Sequence, residues 1–211
     1  MKTLVLHTTA ILLLASGFAR GQVILNGSFE TGIDPGTGGV QIDSVDSTSI
    51  PGWTVDTGNI DLVPSTRWVA ADGNRCLDLS GLDAGSIEQV VGGFTPGAQY
   101  RLTFFLAGNP EQPPYPKNLR VFFGSATQDY QFDGVYSQSN LGWVTKTLDV
   151  TANSTSMTVR FLSLDPGWSG PALDNVSVAL VPEPTAISFS LLTVPVLLLR
   201  RRFAQARSDR Q

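Results

Sequence analysis

Histidine and cysteine are almost absent from this chain of 211 residues, which has one of each. The histidine is His7, in the apolar N-terminal segment, and the cysteine is Cys76. Beyond His7 the chain therefore has no histidine general base, no Cys–His pair, no His/Cys zinc site and no internal disulfide. Several hydrolase and metalloenzyme classes are excluded, and Cys76 is expected to be a small residue in the core or at its rim.

Basic residues are also scarce between Gln22 and Val181. This span has seven Lys or Arg against 16 Asp or Glu, which gives a net charge of −9. Such a surface repels nucleic acid and anionic lipid. We therefore expect no nucleic-acid partner, and neutral glycans or cations suit this charge better.

The first 21 residues have the pattern of a secretory signal peptide. A basic residue, Lys2, is followed by an apolar run through Leu14 and by small residues at Ala19 and Gly21. This order predicts cleavage before Gln22. A buried N-terminal helix is the alternative.

Residues 182–211 form a second processing segment. Pro182-Glu183-Pro184 precedes the apolar run Ala186–Leu199, which ends at Arg200-Arg201-Arg202. The run is short beside the about 20 residues of a spanning helix, and the arginines behind it would stay cytoplasmic. These three parts in this order resemble the PEP-CTERM sorting signal of Gram-negative bacteria. The resemblance implies a single hydrophobic helix as a transient or permanent membrane anchor, an exosortase as partner, and delivery to the cell envelope or extracellular matrix.

The remaining span, residues 22–181, is predicted to be one all-β domain. Its length allows about 68–70% of the unfolded-chain surface to be buried. Short alternating runs broken by Gly, Pro, Asn or Asp predict strands, and no 3.6-residue period occurs, so we expect a jelly-roll β-sandwich. Trp53 and Trp143 are expected to pack inside it. The predicted strands are Gln22–Leu25, Ile60–Val63, Asn74–Leu79, Ser86–Val91, Tyr100–Ala107, Leu119–Phe123, Asp129–Asp133, Trp143–Val150, Met157–Leu164 and Leu173–Ala179.

The two ends of this domain are predicted to meet. Asp174, Val176 and Val178 have the same parity in the closing strand, so if the valines face the core, Asp174 lies at its edge. An unpaired carboxylate there is costly and needs backbone N–H groups or a cation. We expect the segment 26–30 to pack beside this strand and to share polar atoms with it.

Several motifs in a fixed order resemble the DUF642 proteins, including the choice-of-anchor C group that often has PEP-CTERM tails. The motifs are Asn26-Gly27-Ser28-Phe29-Glu30, Ile50-Pro51-Gly52-Trp53, Ala71-Asp72-Gly73, Leu77-Asp78-Leu79-Ser80-Gly81, Ile87-Glu88-Gln89, Gly97-Ala98-Gln99-Tyr100-Arg101-Leu102, Ala107-Gly108-Asn109-Pro110 and Gly170-Pro171-Ala172-Leu173-Asp174-Asn175-Val176. The resemblance implies a galactose-binding-like jelly roll related to carbohydrate-binding modules. It also implies a structural calcium held by Glu30, Asp174 and backbone carbonyls. The alternative is that Asp174 and Asn175 hydrogen-bond loop amides and tie the termini together.

Aromatic residues in polar loops are the candidate sugar-binding side chains. Sugars stack their C–H faces on flat aromatic rings, while carboxylates and amides bind the hydroxyl groups. Trp68 and Trp168 are predicted stacking platforms, with Asp72 close to Trp68 in sequence. Alternatively, the two tryptophans cap the open ends of the sandwich. Tyr115, in a proline-rich loop, is either a platform or a plug.

Asp61 and Asp78 are the candidate catalytic pair. Both are predicted to point outward from similar short strands, and two carboxylates about 5–10 Å apart could serve a glycosidase. Solvated outward charges are the alternative. Together these observations favour a secreted or surface-sorted, non-catalytic carbohydrate-binding module associated with exopolysaccharide or cell wall. A matrix or envelope protein that binds other proteins is the second hypothesis, and a glycoside hydrolase is the third.

Overall fold

The computed structural model describes residues 24–113 and 115–182, and all regular structure in this part of the chain is β-strand. The strands are β1 (Val40–Asp43), β2 (Thr54–Thr57), β3 (Asn59–Pro64), β4 (Arg75–Asp78), β5 (Ser86–Gly92), β6 (Gln99–Gly108), β7 (Lys117–Phe123), β8 (Ala126–Phe132), β9 (Val144–Thr151), β10 (Ser156–Ser163) and β11 (Pro171–Leu180). They form a six-stranded sheet in the order β1-β3-β4-β11-β6-β9 and a five-stranded sheet in the order β2-β5-β10-β7-β8.

The expected all-β sandwich of two antiparallel sheets is confirmed. Among the described residues, no helix is long and apolar enough to cross a membrane. Residues 1–21, the predicted signal peptide, lie outside the described residues. So do residues 183–211, which contain nearly all of the predicted PEP-CTERM segment and its hydrophobic helix.

Strand β6 shows how the sequence pattern produces the core. Tyr100, Leu102, Phe104 and Leu106 are buried, whereas Arg101 between them is exposed. This period of two places one row of side chains between the sheets. Hydrogen bonding to β11 on one side and to β9 on the other keeps the row in register.

Aromatic rings join the two sheets across the core. Phe104 packs edge-on against Phe161 of β10, with 5.1 Å between ring centroids, and Trp53 lies 6.2 Å from Phe161. Phe29 extends this cluster at 5.6 Å from Trp53. Trp53 is 2% exposed and its indole N–H donates to the Asn26 carbonyl at 3.1 Å. The predicted core position of Trp53 is confirmed.

The N-terminal segment differs from the prediction. Ile24 and Leu25 lie in a coil and turn, so the described part of Gln22–Leu25 is not a strand, and the first strand is Val40–Asp43, which the sequence pattern did not predict. The side-chain amide of Gln89 replaces the missing pairing. Its Oε1 accepts from the Leu25 N–H at 2.8 Å and its Nε2 donates to the Leu25 carbonyl at 2.9 Å.

The two ends of the domain do meet, as predicted. The Val176 N–H donates to the Gly27 carbonyl at 2.9 Å. A side chain at position 27 would collide with the Val176 carbonyl, so only glycine allows this approach.

The predicted parity of the closing strand is wrong. Asp174 pairs with Phe105, whereas Val178 pairs with Leu102, so Asp174 and Val178 lie on opposite faces of the sheet. The register shifts between Asp174 and Ser177, where Asn175 has φ 47°. This β-bulge inserts one residue and reverses the alternation.

The outer sides of the two sheets differ. On the six-stranded sheet, residues 65–74 and 109–113 bond to side chains that point away from the core, and residues 133–143 bond to the first of these stretches. We call this side the covered face. On the five-stranded sheet most outward side chains stay at least partly exposed, although Ser86 is buried, and we call this side the open face. Its side chains are Glu88, Val90, Asn118, Arg120, Phe122, Thr127, Asp129, Gln131, Thr158, Arg160 and Leu162.

Candidate functional site

Asp174 is buried under the covered face and is held by backbone amides. Its Oδ2 accepts from the N–H groups of Ala71 and Asp72 at 2.8 and 2.9 Å, and its Oδ1 accepts from the Asn175 N–H at 2.7 Å. Burial raises the pKa of Asp174 to about 7, although these three donors act in the opposite direction. The carboxylate therefore fastens the turn 71–72 to strand β11.

Glu30 holds the other side of the same turn. Its Oε1 accepts from the N–H groups of Asn74 and Arg75, both at 2.8 Å. The Ser28 hydroxyl donates to Oδ2 of the exposed Asp72 at 2.6 Å. For Asp174 these bonds are the hydrogen-bonding alternative expected from the sequence, and Glu30 makes bonds of the same kind. Each carboxylate ties one end of the domain to residues 71–75.

This arrangement does not fit a calcium cage as it stands. Calcium takes 6–8 oxygen ligands, whereas here one oxygen of Glu30 and both oxygens of Asp174 already accept N–H bonds. Among the described residues there is no group of three or more His, Cys, Asp or Glu side chains that could hold a metal ion. Calcium binding stays a prediction.

Asp61 and Asp78 are direct partners across strands β3 and β4. Directly opposed side chains have Cβ atoms about 4.5–5.5 Å apart. The pair that the sequence singled out therefore exists. Burial raises the pKa of the half-buried Asp61, with the positive charge of Arg67 acting against it.

The prediction that Asp78 points into solvent is wrong. Asp78 is 1% exposed, and its carboxylate accepts from Asn109 Nδ2 at 2.7 Å and from the N–H groups of Ser80 and Gly170 at 3.0 and 3.2 Å. Burial raises its pKa to about 8. A buried carboxylate with three donors ties loops together and is out of reach of a polysaccharide, so this pair does not form a glycosidase site.

Trp68 is not the exposed platform that its polar loop suggested, and this prediction is also wrong. It is 1% exposed, and its indole N–H donates to Glu111 Oε1 at 3.0 Å. Trp143 is half-buried and donates to the Val69 carbonyl at 2.9 Å, which agrees with the packing role expected for it. Both tryptophans hold the loops of the covered face in place.

Tyr115 belongs to a buried polar cluster. Its hydroxyl donates to the Asn109 carbonyl at 2.9 Å, and the Lys117 ammonium lies 4.9 Å from the ring centroid. Lys117 is fully buried and donates to the Gln112 carbonyl and to the Ser169 carbonyl and hydroxyl at 2.7–2.9 Å. Burial lowers the pKa of Lys117. These contacts favour the plug among the two roles that the sequence left open for Tyr115.

Trp168 keeps an accessible face. It is 45% exposed, in the loop that follows β10. Earlier in this loop the Leu164 N–H donates to the Asn118 carbonyl at 3.0 Å, and Asp165 accepts from the Asn118 N–H at 2.8 Å. The loop that carries Trp168 is therefore fixed to the start of strand β7. Asp72, the predicted sugar ligand near Trp68, lies in the turn held by Asp174 and accepts from the Ser28 hydroxyl at 2.6 Å.

Charged and aromatic side chains of the open face are paired across strands. Arg120 makes two bonds to Asp129 at 2.7 and 2.8 Å. Arg160 pairs with Asp56 at 2.7 Å and stacks over Phe122, with 5.5 Å from its guanidinium carbon to the ring centroid. The positive charges are thereby neutralised, and the face presents polar groups with little net charge between them.

A cleft of about 430 Å³ lies at the β7–β8 edge of the open face. Asn118 at its floor is fully engaged, because Nδ2 donates to Asp165 and Pro116 at 2.8 and 3.0 Å and Oδ1 accepts from Gln131 at 3.0 Å. This series of hydrogen bonds fixes the Gln131 amide, whose Oε1 and second N–H can still bind a hydroxyl group. The lining residues are Asn118, Asp129, Tyr130, Gln131 and Leu164.

Sequence reasoning missed this cleft. Asn118, Arg120 and Phe122 share one parity on β7, and Asp129 and Gln131 share one on β8. That alternation indicates an outward polar face, but it occurs equally on strands whose outer side is covered. The signal that could have found the cleft is the Gly124-Ser125 pair, because a two-residue Gly-Ser link between two strand-like runs predicts the β7–β8 hairpin that brings these residues together.

A match to the DUF642 family, described as a protein of unknown function, covers residues 22–179. The chain belongs to the DUF642 family. It is 32% identical over 188 residues to Halomucin of Haloquadratum walsbyi (strain DSM 16790 / HBSQ001), a match that covers 83% of this chain. The chain spans 2% of the length of that relative.

Solved structures of carbohydrate-binding modules are also similar. TmCBM61, in complex with β-1,4-galactotriose, has a TM-score of 0.49 at 14% identity and covers 77% of this chain and 99% of its own. A family 35 module from Clostridium thermocellum has a TM-score of 0.40 at 15% identity and covers 66% of this chain and 90% of its own.

Proposed function

We propose that the domain is a non-catalytic carbohydrate-binding module that is exported, sorted to the cell envelope or extracellular matrix, and associated there with exopolysaccharide or cell-wall glycan. The observation that carries the proposal is the open-face cleft, which is lined by a fixed amide, Gln131, and by Leu164 from the loop that also carries the exposed ring of Trp168. Amides and a carboxylate that bind hydroxyl groups, together with an aromatic ring for the C–H face, are the groups that saccharide recognition requires.

The carboxylates support a binding role over hydrolysis. Asp78 is buried and saturated with hydrogen bonds, and Asp61 has no second accessible acid opposite it. Glycoside hydrolysis needs one group as acid and another as base or nucleophile, both in contact with substrate. The net charge of −9 over residues 22–181 favours a neutral glycan over an acidic one.

A glycan array followed by calorimetry on the bound sugars tests the proposal. Trp168→Ala is expected to lower affinity about tenfold or more, because an aromatic stacking contact is lost, while Trp168→Phe keeps most of it. Gln131→Ala is expected to weaken binding as well. Gln128→Ala is its matched control, since Gln128 lies on the same strand with the opposite parity. A folded domain that binds no glycan on the array would move the assignment to protein–protein interaction in the matrix.

The sorting part of the proposal rests on residues 1–21 and 182–211 and is tested separately. Deletion of residues 182–211 is expected to release the protein into the medium, whereas the full chain stays with the envelope fraction until it is processed. Retention of the truncated chain by the envelope would contradict the anchoring role of this segment. The calcium prediction is tested by unfolding in CaCl₂ and in EDTA, because a cation bound only by the folded state raises Tm.

A further inference from the structure

A second cleft lies over the covered face, on the opposite side of the sandwich from the open-face cleft. Its volume is about 540 Å³, and its walls are the stretches 65–69 and 137–139. Sites for small ligands have volumes of about 300–1,000 Å³. Ser65, Thr66, Ser137 and Ser139 supply four hydroxyl groups to its lining.

Glu111 fixes both walls of this cleft. Arg67 donates two bonds to it at 2.9 and 2.7 Å, and Gln138 Nε2 donates one at 2.9 Å. With the bond from Trp68, four donors converge on one carboxylate. Arg67 chiefly lowers the pKa of Glu111, to about 2, so the carboxylate stays ionised above strongly acidic pH. The Val69 N–H also donates to the Gln138 carbonyl at 2.9 Å, which joins the walls directly.

The charges in this cleft cancel. Arg67 is its one cationic lining residue, and Glu111 neutralises it through a two-bond ion pair. Hydrogen bonding to Glu111 chiefly raises the pKa of Arg67, and the nearby carboxylates of Asp61 and Asp78 act in the same direction. A sulfate, phosphate or uronate would therefore meet no excess of positive charge. The electrostatics favour a neutral ligand.

The hydroxyl groups offer both donors and acceptors. Ser65 Oγ accepts from the Ala70 N–H at 3.4 Å and can still donate its own hydrogen. Thr66 Oγ1 donates to the Thr37 carbonyl at 3.2 Å and can still accept. Val69, 45% exposed, adds an apolar surface to the same wall. Paired donors and acceptors beside an apolar patch match the hydroxyl groups and C–H face of a sugar ring.

We propose that this cleft is a second saccharide site, which takes a neutral sugar residue of a polysaccharide, so that one chain can hold two polysaccharide strands on opposite sides of the sandwich. The choice of a neutral saccharide as ligand rests on the proposed function and makes it more specific. Glu111 acts as a positioning residue that keeps the walls apart at a fixed distance. Two weak sites on one rigid domain would cross-link a polymer without any new contact between protein chains.

Backbone amide NMR resolves the two clefts from each other. The protein is titrated with lactose, cellobiose and maltose, each at millimolar concentration. We expect saturable shifts at Thr66, Val69 and Gln138 that are lost in Ser139→Leu, which fills the cleft with an apolar side chain and leaves Glu111 unchanged. Ser47→Leu, an exposed change in the β1–β2 loop, is the matched control and should retain the shifts.

The outcomes separate this inference from the proposed function. Shifts at Thr66, Val69 and Gln138 that persist in Ser139→Leu, or no shift there with any of the three sugars, would overturn the second site. If Thr66, Val69 and Gln138 shift but Gln131 and Asn118 do not, the result would instead count against the open-face site.

Cross-linking has its own readout. The wild-type protein should raise the viscosity of a neutral galactomannan solution, whereas Ser139→Leu and Gln131→Ala, each missing one site, should not. An equal rise with Ser139→Leu would show that the second cleft does not contribute.

Discussion

The two outer faces of the sandwich start from the same sequence pattern and end differently. On both sheets, alternate residues that point away from the core are polar, as Asp78 is on β4 and Asp129 on β8. Asp78 is 1% exposed and held by loop donors, whereas Asp129 is exposed and paired with Arg120. The strand pattern sets the direction of a side chain, and the loops set its environment.

For the outward carboxylates, this difference separates structural roles from binding roles. The carboxylates of the covered face, Asp78 and Asp174, accept N–H bonds from loops and fasten them to the sheet. The open face has no such cover over Gln131 and Asp129, which remain available to ligand. Substitutions of the buried carboxylates under the covered face should therefore reduce stability, whereas substitutions in the open-face cleft should reduce binding.

The largest stability effect is expected at Trp68. Trp68→Ala should lower the free energy of unfolding by about 3–5 kcal/mol, because a fully buried indole leaves a cavity and Glu111 loses a donor. Trp168→Ala, the matched change in the exposed loop tryptophan, should leave Tm nearly unchanged. Urea unfolding of both variants measures the contrast. Equal losses of stability would abolish the distinction between the two tryptophans.

Asp78→Ala should have the next largest effect on stability and lower the free energy of unfolding by about 3 kcal/mol. The substitution leaves buried donors of Asn109, Ser80 and Gly170 without an acceptor, and each such group costs about 1–3 kcal/mol. Asp78→Asn should also destabilise, since an amide has one accepting oxygen where the carboxylate uses two. Chemical denaturation gives the values, and an unchanged midpoint for Asp78→Ala would contradict a tethering role.

Stability should fall as the pH rises toward 8. The pKa values of Asp78 and Asp174 are raised from 3.8 to about 8 and about 7, so the folded state holds protons that the unfolded state releases. Their stabilising contribution is complete below about pH 4 and is lost as the pH passes through 7 and 8. We expect a loss on the order of 2 kcal/mol, or about 4–8 °C in Tm.

Calorimetry from pH 5 to pH 8.5 measures this slope. Asp78→Asn removes one titrating group and should make the slope shallower. Glu111 titrates in a separate window, since its lowered pKa gives stability that is lost only as the pH falls from 4.5 toward 2. A Tm that rises from pH 5 to 8 would show that Asp78 and Asp174 are ionised throughout.

Local pattern was sufficient to predict most of the strands. The best-alternating segment, Tyr100–Ala107, lies within β6, and the core position of Trp53 follows from its parity with Val55. Cys76 is buried as expected, and burial with nearby carboxylates raises its pKa well above the ordinary value. Where burial follows from alternation along one strand, the sequence alone predicts it.

The failures have a common physical cause in contacts that are distant along the chain. Leu25 is held by a side chain 64 positions away, Gln89, so no local period marks it. The bulge at Asn175 reverses a parity that looks continuous in the sequence. Asp78 and Trp68 are covered by loops whose docking depends on Asn109 and Glu111. None of these contacts has a periodic signature.

The smallest stability effect is expected at Asp129. Asp129→Asn removes an exposed ion pair with Arg120, and solvent screening leaves Tm unchanged within error. Saccharide affinity should nevertheless fall about threefold, because one strong acceptor in the open-face cleft is lost. Asp149→Asn is the matched control, since Asp149 makes the same two-bond pair with Arg101 on the six-stranded sheet and lines no saccharide cleft proposed here. Equal affinities for the two variants would place the ligand elsewhere on the open face, away from the β7–β8 edge.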